Sequence, residues 1–171
     1  ATTSYVDTKA TENRVYYYRI KAFAKAGSST NYSEVSNIVI NGVKSIVLQA
    51  RSSKTMRISW SDVAGATEYQ IYGKRPESSE YVLLGSVAPG TGSFDDGNLT
   101  ESETYSYAVR ISDGVYTSAF CPEKNISLIG KVTGLKANYL GNDVGVNLNW
   151  NKVSDATYYA IYRKTSTESD Y

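Results

Sequence analysis

A thirteen-residue pattern occurs twice in this chain. Residues 60–72 read W-S-D-V-A-G-A-T-E-Y-Q-I-Y, and residues 150–162 read W-N-K-V-S-D-A-T-Y-Y-A-I-Y. Trp, Val, Ala, Thr, Tyr, Ile and Tyr recur at the same offsets, ninety residues apart. A period of that size is the size of a domain, whereas solenoids are built from much shorter units. A second match refines the boundaries. Residues 7–18 read D-T-K-A-T-E-N-R-V-Y-Y-Y and residues 96–107 read D-G-N-L-T-E-S-E-T-Y-S-Y, an offset of eighty-nine. The two matches together imply three copies of one domain in 171 residues, with only the middle one whole. Residues 1–41 are expected to be a C-terminal half, residues 42–129 a complete domain and residues 130–171 an N-terminal half.

Alternation at period two dominates what lies between these motifs. Met56, Ile58 and Trp60 share one parity, as do Val146, Leu148 and Trp150. Tyr105, Tyr107, Val109 and Ile111 alternate with Ser106, Ala108 and Arg110. Tyr16, Tyr18, Ile20 and Ala22 alternate with Tyr17, Arg19 and Lys21. That period places alternate side chains on opposite faces of a strand. Tyr, Thr, Val and Ile, abundant here, suit such a pleated surface. Turn clusters separate the runs: Ala64-Gly65-Ala66, Pro89-Gly90-Thr91-Gly92, Asp96-Gly97-Asn98, Ser112-Asp113-Gly114 and Gly141-Asn142-Asp143. No window of ten or more residues keeps a helical period. Short strands with regular turns and no crossover helices predict an all-β, antiparallel sandwich.

These residues carry a resemblance. The W-x-x-V-x-x-A-T-x-Y-x-I-Y signature, with Leu99 six residues before Tyr105, resembles tandem fibronectin type III domains of the bacterial extracellular kind. The resemblance spans essentially the whole chain. It implies a seven-stranded immunoglobulin-like sandwich with strands A, B and E in one sheet and C′, C, F and G in the other. It implies a tyrosine corner at Tyr105 and Tyr16, whose hydroxyls cap nearby backbone. The first copy departs from the pattern, with Ala10 where leucine is usual. It also implies a secreted or cell-surface location. The expected structural core is Trp60, Tyr69, Ile71 and Tyr105 in the middle copy, Trp150, Tyr159 and Ile161 in the third, and Tyr16 in the first.

Composition excludes several functions. There is no histidine, so neither a Ser-His-Asp nor a Cys-His nucleophile can be assembled, and zinc has no imidazole ligand. A single cysteine, Cys121, can form no intrachain disulfide and no Cys-x-x-Cys site. It is expected to be a small, half-buried apolar residue on a late strand. Gly90-Thr91-Gly92 lacks the lysine and helix of a phosphate loop. Asp95 and Asp96 are adjacent, so a strand would aim them at opposite faces, which rules out a glycosidase pair. Asp95-Asp96-Gly97-Asn98 reads as a turn capped by Asp side chains in preference to a calcium loop. No cofactor or metal site is expected. The net charge of +1 is scattered, with no basic stripe for nucleic acid, and no apolar run is long enough to span a membrane.

Candidate contact residues follow from the outward parity. Tyr72 on the C strand should lie beside Arg110 on the F strand. Tyr162 and Tyr17, with Arg19, would form the equivalent cluster if the two half-domains belonged together. Asp113, in the F–G turn, is a contact site by position alone. Aligned on the middle copy, the end pieces lack between them only about eight residues, those equivalent to Val82–Pro89. They therefore read as complementary halves, either an excerpt of a longer array or parts completed head-to-tail by neighbouring molecules. The expected function is a non-catalytic spacer and interaction module for protein or polysaccharide at the cell surface. The alternatives are an accessory region of a secreted polysaccharide-degrading enzyme and a head-to-tail filament.

Overall fold

A computed structural model describes residues 2–141 and 145–170. The turn expected at Gly141-Asn142-Asp143 therefore falls largely outside the described residues. Among those described, every regular element is a β-strand. In chain order they are β1 (Tyr17–Tyr18), β2 (Lys21–Ala26), β3 (Ser29–Val35), β4 (Val39–Ile40), β5 (Ile46–Ser52), β6 (Thr55–Trp60) and β7 (Glu68–Lys74). There follow β8 (Val82–Val87), β9 (Ser93–Asp96), β10 (Thr104–Ser112), β11 (Lys124–Ser127), β12 (Lys136–Tyr139) and β13 (Val146–Asn149).

Strands β5 to β11 make two antiparallel sheets, β5-β6-β9 and β11-β10-β7-β8. With β5 as strand A and β11 as strand G, these are the A-B-E and G-F-C-C′ groupings that the resemblance implies. Alternation dictates which face closes inward. In β6, Met56, Ile58 and Trp60 are buried while Thr55, Arg57 and Ser59 are not. In β7, Tyr69, Ile71 and Gly73 are buried, and β10 adds Tyr105, Tyr107, Val109 and Ile111. Leu99 and Leu128 seal the core from beyond the sheets. β10 is flanked by β7 and β11, and its register sets Val109 opposite Ile71 and Ile111 opposite Tyr69.

The repeated motif has a structural reason. In the middle copy the Val63 N–H donates to the Tyr69 hydroxyl (2.6 Å), and the Trp60 and Tyr69 rings lie 5.3 Å apart. In the third copy the Val153 N–H donates to the Tyr159 hydroxyl (2.8 Å), with Trp150 and Tyr159 at 5.2 Å. The Trp, Val and Tyr of the pattern thus form one packed and hydrogen-bonded corner. The tyrosine corners repeat as well: Thr100 N–H donates to Tyr105 Oη (2.8 Å) and Thr11 N–H to Tyr16 Oη (3.1 Å).

The flanking pieces differ from expectation in three ways. Strand E of the first copy is absent among the described residues; only β1 to β4 form there, as the equivalents of F and G. Strand C of the third copy is likewise absent among the described residues, and only β12 and β13 pair; the equivalent of β8, expected as C′, would begin past residue 171. A strand needs a neighbour for its backbone groups. In the middle copy E pairs with B, and C pairs with F and C′. The first piece holds no B, and the third holds no F. The third difference is burial. Ile161 is 64% exposed instead of buried. Trp150, Tyr159 and Tyr16 are half-buried, because the sheet that would close over them is missing from each piece.

Candidate functional site

The outer face of the β11-β10-β7-β8 sheet gathers side chains that the core does not use. Tyr72 projects outward from β7, and Arg110 does so from β10, two residues from directly opposite. The Arg110 guanidinium lies 4.9 Å from the Tyr72 ring centre and 5.2 Å from that of Phe120. It donates to the Tyr72 hydroxyl (2.6 Å) and to Gln70 Oε1 (2.8 Å). Tyr72 and Phe120 meet edge to face at 4.9 Å, and Tyr81 joins Phe120 at 4.8 Å. The Lys74 ammonium sits 4.6 Å from the Tyr81 ring centre and pairs with Glu123. The Tyr81 hydroxyl donates to the same carboxylate (2.5 Å).

The electrostatics follow from these contacts. The Lys74 ammonium, with the Tyr81 hydroxyl second, holds the Glu123 carboxyl below its ordinary range. Burial first, and then the Glu123 hydrogen bond, push the Tyr81 hydroxyl well above the ordinary tyrosine value. Both groups therefore keep their neutral-pH charge states throughout the physiological range. Arg110 differs from Lys74 in having no carboxylate partner among the described residues. A guanidinium carries five donors, and two are used here. The cluster is a flat patch of rings around a cation, suited to stacking and to meeting an acceptor, and its one carboxylate, Glu123, is taken up by Lys74 and Tyr81.

The sequence placed Tyr72 and Arg110 side by side, and the structure brings them together. It missed Tyr81, Phe120, Lys74 and Glu123. Phe120 and Tyr81 lie in loop segments just before β11 and β8, where strand parity gives no facing. Tyr162 and Tyr17 are not brought together. Tyr162 is exposed, while Tyr17 donates its hydroxyl to Asp113 (2.6 Å). Asp113, expected to be an open contact site, is thus already engaged within the chain.

The groups examined for chemistry are otherwise accounted for. Asp95 and Asp96 face opposite sides. Asp95 forms a two-pronged ion pair with Arg57, at 2.7 Å for each prong. Asp96 is buried and takes hydrogen bonds from Arg75 (2.7 Å) and the Tyr107 hydroxyl (3.0 Å). Cys121 is buried just ahead of β11, with its sulfur accepting the Val109 N–H (3.3 Å). Burial pushes its thiol up, away from the reactive thiolate. No group of three or more His, Cys, Asp or Glu side chains comes together among the described residues. None of their elements is a helix long and apolar enough to cross a membrane.

No protein-family model and no curated protein sequence matches the chain. Solved structures similar to it include FN3tt, at 21% identity over 51% of this chain and 94% of that one, with a TM-score of 0.43. FN3tt mut is similar at 20% identity over 48% and 89%, TM-score 0.43. The sixth fibronectin type III domain of human fibronectin type III domain containing protein 3 is similar at 19% identity over 50% and 82%, TM-score 0.45. Each likeness covers about half of this chain. The sheet orders β5-β6-β9 and β11-β10-β7-β8 are the groupings that the resemblance implies, all-β and antiparallel.

Proposed function

We propose that the chain is a non-catalytic tandem segment of a secreted or cell-surface protein, acting as a spacer and as an interaction module. In this reading residues 42–129 are a complete module flanked by parts of two others. The supporting observation is the outer sheet face, where Tyr72 and Phe120, with Tyr81 against them, flank an arginine that has no carboxylate partner among the described residues. Tyr, Phe and Arg are the residues enriched at the centres of protein contacts, and aromatic rings with free donors also suit sugars. The lack of any histidine and the burial of the single cysteine support a non-catalytic role.

The test is binding of the 171-residue chain to a panel of immobilised polysaccharides and cell-surface extracts, with Tyr72→Ala as the comparison. Binding that is lost in a variant with an unchanged melting temperature supports the reading. Equal binding by both proteins would show that the cluster only shields the sheet. Selective retention on one polysaccharide would favour an accessory region of a polysaccharide-degrading enzyme over a plain spacer.

A second reading has its own observation. Val132, Leu135, Leu148, Trp150, Tyr159 and Ile161 line an apolar recess of ≈ 570 Å³. In the middle copy the equivalent face is covered by β10, whose counterpart is the strand region around Tyr16, Tyr18 and Ile20. Ile20 is 75% exposed. Head-to-tail completion between molecules would bury both faces and build a filament. Light scattering coupled to size exclusion separates the readings: end-to-end species that grow with concentration support completion, and a folded monomer at every concentration rejects it.

A further inference from the structure

The loop end of the seven-stranded unit that faces residues 2–41 is built as a socket. Two of its loops reach the preceding piece at separate points. In the β6–β7 loop, the Ala64 N–H donates to the Asn13 carbonyl (2.7 Å), and the Ala64 carbonyl accepts the Val15 N–H (2.9 Å). Arg14 and Ala64 thereby form a parallel bridge. Gly65 beside it has φ +97°, and a Cβ there would lie 3.4 Å from Val15 Cβ. In the β10–β11 loop, Asp113 accepts the N–H groups of Val115 (2.9 Å) and Tyr116 (2.7 Å) through one oxygen. Its other oxygen accepts the Tyr17 hydroxyl (2.6 Å). The Tyr17 ring meets Tyr116 edge to face at 6.1 Å.

The linker supplies a third point. The Asn41 amide oxygen accepts the Tyr16 N–H (2.6 Å), its amide nitrogen donates to the Arg14 carbonyl (2.9 Å), and Lys44 pairs with Glu12. Three separate attachments remove the rotations that one flexible linker would leave. Contacts between consecutive domains are ordinarily small, and relative motion is the default without a built interface.

At the other junction the residues equivalent to the first copy's Asn13 and Tyr17 differ. Ser102 stands where Asn13 does in the first copy, and both have φ 63°. Ser106 stands where Tyr17 does and has no ring to reach across. Ser102 N–H donates to the Leu128 carbonyl within the middle unit (2.8 Å), and the Lys131 N–H that follows it donates to Glu101 (3.2 Å).

We propose that Ala64, Asp113 and Tyr116 form a docking surface for the preceding copy of this repeat, with Tyr17 as the inserted key. The joint before the middle unit is therefore stiff. This rests on the reading of the chain as a tandem spacer and states which of its joints transmits direction.

Amide residual dipolar couplings of the 171-residue chain test it. Couplings from β2–β3 and from β5–β11 should fit one common alignment tensor. Tyr17→Phe combined with Asn41→Ala, which removes two of the three attachments, should split the first pair into two tensors, as should Asp113→Asn with Asn41→Ala. Two tensors in the parent protein, or one tensor preserved in both variants, would overturn the proposal. The couplings report on the joint whether or not the Tyr72 face binds a ligand, so the two proposals can fail separately.

Discussion

Trp60 is 8% exposed and stacks at 5.3 Å on Tyr69, yet its indole Nε1 is buried without a hydrogen-bond partner. An unmet buried donor costs about 1–3 kcal/mol, so packing alone must hold this side chain. Replacing it with alanine opens a cavity between the sheets. Trp60→Ala should cost about 3–5 kcal/mol, against a total stability of about 5–15 kcal/mol for a domain. Thermal denaturation should therefore show Trp60→Ala close to unfolded, and Trp60→Phe, which fills more of the space and removes the orphan donor, far less affected. Asp96 carries a different stake, since it alone receives both the buried Tyr107 hydroxyl and the half-exposed Arg75. Asp96→Ala should cost about 1–3 kcal/mol, mostly through the unpaired Tyr107 hydroxyl, because solvent screens Arg75. At this scale the motif residues were legible, for a Trp, a Val and a Tyr at fixed spacing can only close one corner. Asp96 was not: adjacent carboxylates reveal opposite faces but not which of them is buried.

Among the elements, β6, β7 and β10 were readable because one face of each is wholly apolar. Strand E of the first copy and strand C of the third were expected as well and do not form among the described residues. Pairing is a property of two segments, and the sequence of one segment cannot supply the other. The Phe120–Tyr81–Arg110 cluster was half legible for a related reason, since loop residues have no parity. The same limit hides the linker. A Cβ on Gly42 would fall 2.5 Å from the Ser118 hydroxyl. That hydroxyl is fixed, accepting from Ile111 N–H (3.1 Å) and donating to the Ala119 carbonyl (2.7 Å). Gly42→Ala should thus destabilise by about 1–3 kcal/mol, as overpacking does. Urea unfolding of the variant would check it, and an unchanged midpoint would show that the linker yields.

Over the whole molecule, pH should bound stability from both sides. Several carboxyls are held below their ordinary range: Asp95 chiefly by its Arg57 hydrogen bond, Glu123 by Lys74, and Asp113 by the Tyr116 N–H and then the Tyr17 hydroxyl. Depressed folded values give stability that is present at neutral pH. It is lost as pH falls from about 4, the unfolded carboxylate value, through the folded ones. In the other direction, burial raises the hydroxyls of Tyr69, Tyr81 and Tyr107. Their contribution is full below about pH 10, the unfolded tyrosine value, and declines as pH rises from there through the folded values. Melting temperatures should form a plateau with a fall at each end, and the alkaline fall should accompany the ionisation of tyrosines that titrate only on unfolding.

The account turns on an indole enclosed by two sheets in residues 42–129, with the matching indole at Trp150 left half open. Iodide quenching of the tryptophan fluorescence, excited at the red edge where tyrosine does not absorb, in Trp150→Phe, where Trp60 is the sole tryptophan, measures that enclosure directly. A blue-shifted emission that iodide barely quenches is the predicted result. Emission at the wavelength of free tryptophan, quenched as readily as the free amino acid, would contradict it.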